Sequence, residues 1–258
     1  MKEAEVYIKK DISLDNPILV EGLPGLGLVG RLGAEHLIKE LKAKKFAELY
    51  SPDFPPQVLI QPDATIEMRR NEFYYWKAKK KGQRDMIILI GDDQGLTVQS
   101  QYALCSTVID TAENYKVKML YTLGGYGMQK MVKDPRVVGA VTDKEMVREF
   151  QKHGVIFKKV SGHIMGAAGL LLGIGKLRGM KGICLMGETH GNYVDPRAAR
   201  NVLEVVSKSL KLDIDLKILE SKAKEVEEMI TKLERIQREK EQPMMPAPPD
   251  EGGLTYIR

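Results

Sequence analysis

The chain is 258 residues long, 43% hydrophobic and 29% charged, enough to bury a substantial core in one large domain with an appendage. Its 40 basic and 35 acidic residues leave a formal net charge of only +5, and one Trp with five Phe offers few rings for bases, which argues against a nucleic-acid groove. Two cysteines are too few for a disulfide framework or a zinc site; no apolar run reaches the roughly 18 residues of a membrane span, and the charged start 1–10 does not read as a signal peptide, so a cytoplasmic protein is expected.

Pro17-Ile18-Leu19-Val20 predicts a short buried strand. It runs into Glu21-Gly22-Leu23-Pro24-Gly25-Leu26-Gly27-Leu28-Val29-Gly30, after which Leu32, Leu37, Ile38 and Leu41 recur at helical spacing. Gly25, Gly27 and Gly30 fit G-x-G-x-x-G, a spacing that offers a phosphate the free N–H groups of a helix N-terminus. A dinucleotide site also wants an acidic residue about 20 positions on. Glu48 and Asp53 lie there, but the Pro-rich stretch 50–56 is an unusual strand exit, and Leu23, Leu26, Leu28 and Val29 make the turn greasy. A turn whose glycines serve packing is the competing reading.

Phe46 to Tyr50 and Gln57 to Ile60 predict two more strands, and 65–68 with 73–76 read as a hairpin around Arg69-Arg70-Asn71-Glu72. Tyr74, Tyr75 and Trp76 must point to both faces of their strand, which leaves core or subunit contact as their place. Met86 to Ile90, closed by Gly91, is the clearest central strand. Its exit carries Asp92, Asp93 and Gln94 ahead of a helix from about Thr97 to Tyr115. Doubly wound sheets place ligands at such an exit, and helix N-termini favour acids there for capping.

Lys118 to Leu123 predicts the next strand, leaving into Gly124-Gly125-Tyr126-Gly127. Arg136 to Val141 reads as extended and Asp143 to His153 as a helix. The glycine-rich segment 162–176 suits a helix lying close on the sheet, and is too short and broken for a membrane span. Gly182 to Met186 is a buried strand ending in Gly187-Glu188-Thr189-His190-Gly191, and Asp195-Pro196 opens a helix with cap and first-turn proline in their preferred places. Residues 216–241 predict a long helix with a stripe of Leu219, Val226 and Leu233, plus Met229 and Ile236, facing one neighbour. Beyond Gln242 a Pro/Gly-rich tether ends in Leu254-Thr255-Tyr256-Ile257-Arg258, whose apolar residues suit a docking peptide. The division is thus an α/β core over 1–215, a long helix over 216–241, and a tether with docking peptide over 242–258.

The four histidines, His36, His153, His163 and His190, show no metal-ligand spacing, and His36 and His153 read as surface residues. Cys105 and Cys184, in apolar context, read as buried free thiols. No catalytic set, cofactor or metal site is recognisable. The best candidate is the strand exits taken together. In a mainly parallel sheet they meet on one rim, with Gly25, Gly27, Gly30, Asp92, Gly125, Glu188 and His190 lining a candidate ligand cleft where a Glu and a His can do acid–base work. The blander alternative is that the glycines let loops pack.

The block 21–30, with Asp92-Asp93-Gln94, Leu123-Gly124-Gly125-Tyr126-Gly127, Gly166-Ala167-Ala168-Gly169-Leu170-Leu171, Gly187-Glu188-Thr189-His190-Gly191 and Asp195-Pro196-Arg197-Ala198-Ala199, resembles the archaeal branch of the proteasome assembly chaperone superfamily (the proteasome-assembly-chaperone-two-like family). These blocks occur in order across roughly residues 15 to 240. The resemblance implies a three-layer α/β/α fold similar to that of purine nucleoside phosphorylases, no catalysis, a homo-oligomer, and binding of proteasome α subunits or a sister chaperone during 20S assembly. Some family members end in a hydrophobic–Tyr–any tripeptide that docks between α subunits. Here Tyr256 is third from the end and follows Thr255, so Leu254, Tyr256 and Ile257 are expected to bind a sister chaperone or to engage weakly. A nucleotide- or nucleoside-binding enzyme using the glycine-rich cleft is the alternative.

Overall fold

Four runs of residues buried on both faces dictate the centre of the molecule, because only a sheet covered by helices on both sides can hide them. The computed structural model describes residues 1, 3–128 and 132–241. In chain order it holds β1 (Glu5–Ile8), β2 (Ile18–Gly22), a 3₁₀ turn (Leu26–Leu28), α1 (Val29–Leu41), β3 (Lys44–Tyr50), β4 (Val58–Ile60), β5 (Ile66–Met68) and β6 (Asn71–Trp76). It continues with β7 (Met86–Gly91), α2 (Val98–Asn114), β8 (Met119–Gly127), β9 (Val137–Val141), α3 (Met146–Gln151), α4 (Ala167–Leu177), β10 (Lys181–Thr189), α5 (Pro196–Leu210) and α6 (Lys217–Glu241).

The main sheet has the order β1-β3-β6-β7-β2-β8-β10-β9. Its middle, β7-β2-β8-β10, is parallel, and every other neighbouring pair is antiparallel. The sheet is therefore mixed rather than mainly parallel, yet the four strands whose exits carry the glycine and acidic blocks are the parallel ones. Alternation divides the side chains: Ile18, Val20, Ile88 and Leu185 meet α1 and α5, while Leu19, Leu89 and Cys184 meet α2 and α4. The result is a three-layer α/β/α sandwich.

Several elements differ from the sequence reading. β5 does not pair with β6; it folds back on β4, with Val58 opposite Met68 and Ile60 opposite Ile66, and β6 joins the main sheet between β3 and β7. The chain breaks between them at Arg69 and Arg70, each held by carboxylates: Arg69 by Asp93, Arg70 by Glu67 at 2.9 Å and Glu72 at 2.8 Å. Tyr74 and Trp76 pack into one core and Phe73 and Tyr75 into the other, so these aromatics are core. His36 is buried, not a surface residue: its Nε2 donates to the Asp215 carbonyl at 2.6 Å and ties α1 to the start of α6. Strands β8 and β10 run three or four residues further than their apolar runs, since their glycines stay extended and paired.

Glu48 and Glu72 face each other directly across β3 and β6, a like-charged pair that destabilises a sheet unless cations intervene. Lys45 does so, 2.8 Å from Glu48 and 3.1 Å from Glu72, with Arg70 beside both. Burial pushes the Glu48 carboxyl up, but Lys45 and Lys9 outweigh it and hold the group at about 2.

On α6 the buried track is Leu219, Ala223 and Ile230, with Val226 half-buried and Met229 exposed. Eleven residues make just over three full turns, which aligns Ile230 with Leu219 and turns Met229 away; the side chains of Leu233 and Ile236 lie outside the described residues. Leu219→Ala should therefore cost about 2–4 kcal/mol in chemical denaturation, and Met229→Ala less than about 0.5 kcal/mol. Equal costs for the two would show the helix in another register.

Candidate functional site

The glycine turn is where the sequence motif and the structure part. Gly27 (φ 61°) and Leu28 (φ 50°) are both left-handed, and only at Gly27 does this come without a Cβ penalty. Three consecutive N–H groups that a phosphate would need are already spent: Gly27 N donates to Gly191 O at 3.4 Å, Leu28 N to Gly25 O at 2.9 Å, and Val29 N to Leu26 O. The Gly27 carbonyl in turn accepts from Asp195 N at 2.8 Å. A Cβ on Gly30 would overlap the Leu123 carbonyl, and one on Gly125 the Leu26 carbonyl. The turn is thus pressed onto β8 and the start of α5, and its glycines serve close approach. Gly25 alone is open on its side.

The crevice between the exits of β2 and β7 is spanned by one side chain. Gln94 Nε2 donates to the Pro24 carbonyl at 2.6 Å. Its Oε1 accepts from Ala167 N at 2.9 Å and from Gln101 Nε2 at 3.0 Å. Gln94 therefore caps the N-terminus of α4, where an anion would otherwise find free donors. Asp92 and Asp93 turn outward. Asp92 lies 3.2 Å from Arg31 Nη1, and Asp93 pairs with Arg69. Asp92 lines a hollow of about 440 Å³ with Arg31, Ile38, Leu59 and Tyr74.

Glu188 and His190 belong to the opposite side of the rim. Glu188 is the penultimate residue of β10, buried, and held by Arg136 through Nη2–Oε1 at 2.7 Å and Nε–Oε2 at 3.0 Å. The Arg136 bonds outweigh burial and keep its carboxyl below the usual range, so it is a fixed anion that anchors β9 to β10 rather than a proton donor. His190 lines a separate hollow of about 290 Å³ with Tyr193, Val194, Arg197, Val226 and Ile230. The seven residues expected in one cleft are therefore divided among the glycine turn, two hollows and a buried ion pair. Leu254, Tyr256 and Ile257 lie outside the described residues.

Three residues passed over in the sequence reading matter here. Gln94 bridges three elements, and Arg136 neutralises Glu188. Glu21, a lone acid at the end of an apolar strand, was the most visible signal. The residue is 1% exposed; its Oε1 accepts from Leu23 N at 2.8 Å, and Oε2 has no partner among the described residues. Burial pushes its pKa up to about 8. The thiols of Cys105 and Cys184 are themselves raised to about 12, chiefly by burial and further by the charge of Glu21. Such thiols stay protonated, and so are not nucleophiles, at neutral pH. Among the described residues, no three His, Cys, Asp or Glu side chains converge as metal ligands would, and no helix is long and apolar enough to cross a membrane.

Against known proteins, the PAC2 family model matches residues 19–234. An uncharacterised protein of Methanocaldococcus jannaschii is 43% identical over 249 residues, which is 96% of this chain and 95% of that one. Among solved structures, PbaB of Pyrococcus furiosus, described as an archaeal proteasome activator, is 45% identical with a TM-score of 0.87, covering 91% of this chain and 100% of that one. PbaA of the same organism, described as an archaeal homologue of proteasome-assembly chaperone, is 29% identical with a TM-score of 0.73, covering 92% and 98%.

Two predictions follow from the rim. If the glycines serve packing, the stability losses should rank Gly30→Ala (more than about 2 kcal/mol, since backbone must move), then Gly27→Ala (roughly 1–2 kcal/mol), then Gly25→Ala (within about 0.5 kcal/mol). Denaturant titration reads the order, and Gly25→Ala as the most costly of the three would overturn it. For Glu21, an acid whose folded pKa lies above its unfolded value of 4.5, stability is lost as pH rises from about 4.5 to 8. Across that window the loss amounts to roughly 4–5 kcal/mol. The advantage of Glu21→Gln over wild type should therefore grow across that window and level off above it. A difference that does not change with pH would show that Glu21 is ionised in the fold.

Proposed function

This chain belongs to the PAC2 family, and we propose that it is a non-catalytic assembly chaperone of the cytoplasm. It binds proteasome α subunits, or a homologous chaperone, during 20S assembly, and it does so as a homo-oligomer. The observation that carries this reading is the near-full-length likeness to PbaA and PbaB. The geometry is consistent with it: the crevice where a nucleoside enzyme of this architecture would take its substrate holds the Gln94 amide. The glycine turn has spent its donors on its own backbone, which weighs against the nucleotide- or nucleoside-binding alternative.

One observation favours a second reading. The higher identity is to PbaB, so the chain is also a candidate activator that acts on the finished proteasome. The two readings differ in the partner: free α subunits or a homologous chaperone in the first, the assembled proteasome in the second.

We assign the terminal residues Leu254, Tyr256 and Ile257 to partner contact, with Tyr256 as anchor, because a large amphipathic ring on a tether gains much area at small ordering cost. Several tails on one oligomer would raise the effective concentration of the second contact. Native mass spectrometry with isolated α subunits and, separately, with mature 20S particles tests the whole reading. A complex with α subunits supports the chaperone, and a complex only with mature particles supports the activator. Complexes with neither, together with turnover of a nucleoside, would sink both. Deleting residues 253–258 should leave the fold intact and weaken the complex roughly tenfold or more; unchanged affinity would move the contact onto the folded body.

A further inference from the structure

The small sheet β4–β5 wears its apolar face on the outside. Because opposite residues share a face, the register places Val58, Met68, Ile60 and Ile66 together on one side and Leu59 with Glu67 on the other. The Leu59 and Glu67 side turns toward the body: both line the hollow with Ile38 and Tyr74, and Glu67 is 2.9 Å from Arg70. The other four are exposed, Val58 by 48%, Ile60 by 79%, Ile66 by 67% and Met68 by 52%. A two-stranded sheet is marginal in water even with an apolar face covered, and half-solvated sheets ordinarily turn their polar face to water. This hairpin does the reverse.

We propose that this face is an interface with a second copy of the chain, like face on like face. The inference rests on the homo-oligomer of the proposed function and adds its location. Charge argues for a self-contact. A two-fold contact sets each group near its twin, so any charge within the patch repels itself. None of the four outward residues is charged, in a chain that is 29% charged. At the rim, Gln57, Gln61 and Thr65 are neutral; Asp63, in the turn and outside the four-residue patch, is an anion whose carboxylate accepts from Thr65 Oγ1 at 2.7 Å and from Thr65 N at 3.1 Å. A partner recognised by opposite charge would call for charged residues on this face, and it has none.

The four side chains fall short of the roughly 800 Å² per partner that a stable contact buries. The apolar surface continues, however, from Val58 and Met68 into a hollow of about 560 Å³ lined by Pro52, Phe54 and Pro55, and by Arg69, whose charge is matched by Asp93. That gives a second copy a surface deep enough to seat the outermost isoleucines.

The test is sedimentation velocity across a concentration series on the full chain, wild type against Ile60→Lys/Ile66→Lys. Both positions are exposed, so the variant should keep its circular dichroism and melting temperature. Its self-dissociation constant should rise roughly 100-fold or more, because lysine would have to be buried against apolar surface. If the double variant does not fold, Ile60→Ser supplies the same comparison with a smaller shift in the same direction. An oligomeric wild type whose mass is unchanged in the variants overturns this interface and leaves the homo-oligomer standing. A monomeric wild type overturns both. Variants that keep their mass but lose α-subunit binding give the face to the proteasome, and also overturn the proposal.

Discussion

The close approach of the glycine turn to β8 is the constraint on which the rest of the rim depends. Without a Cβ at Gly30 and Gly125, two backbones meet where side chains would hold them apart. That contact draws Gly191 and Asp195 into bonds with Gly27 and so fixes where α5 begins. Asp195 then caps α5 through Ala198 N at 2.9 Å, with Pro196 at the first helical position. The same approach leaves no room between turn and sheet. A glycine pattern that elsewhere makes space for a ligand here removes it.

Charge is handled differently in the two halves of the sheet. At the antiparallel side, facing carboxylates are interleaved with Lys45 and Arg70 and stay ionised. At the parallel side, Glu188 is matched by a two-pronged arginine, whereas Glu21 has one backbone donor and, among the described residues, no cation. A carboxyl so placed is cheapest in its neutral form.

Much of this was legible in the sequence, because parallel strands are buried on both faces and read as unbroken apolar runs. β2, β7 and β10 were visible that way, and α2 and α5 announced themselves through Thr97 and Asp195 as caps. The pairing of β5 was not, since Met68 and Asn71 are separated by two arginines whose carboxylate partners lie as far away as Asp93. His36 was misjudged for the same reason: its acceptor is 179 positions on, at Asp215. The candidate site was legible only as a set of strand exits. That they share a rim follows from local pattern and topology; that Gln94 fills the crevice depends on contacts to Pro24 and Ala167, about 70 residues away on either side.

A crevice closed by one neutral amide is closed reversibly on an evolutionary scale. Backbone closure, as at Gly30, needs several coordinated changes to undo, while a shorter residue at position 94 would free the Ala167 N–H and the Pro24 carbonyl in a single step. The scaffold thus holds one main-chain donor and one main-chain acceptor at the strand exits a single substitution away from exposure to another hydrogen-bonding group.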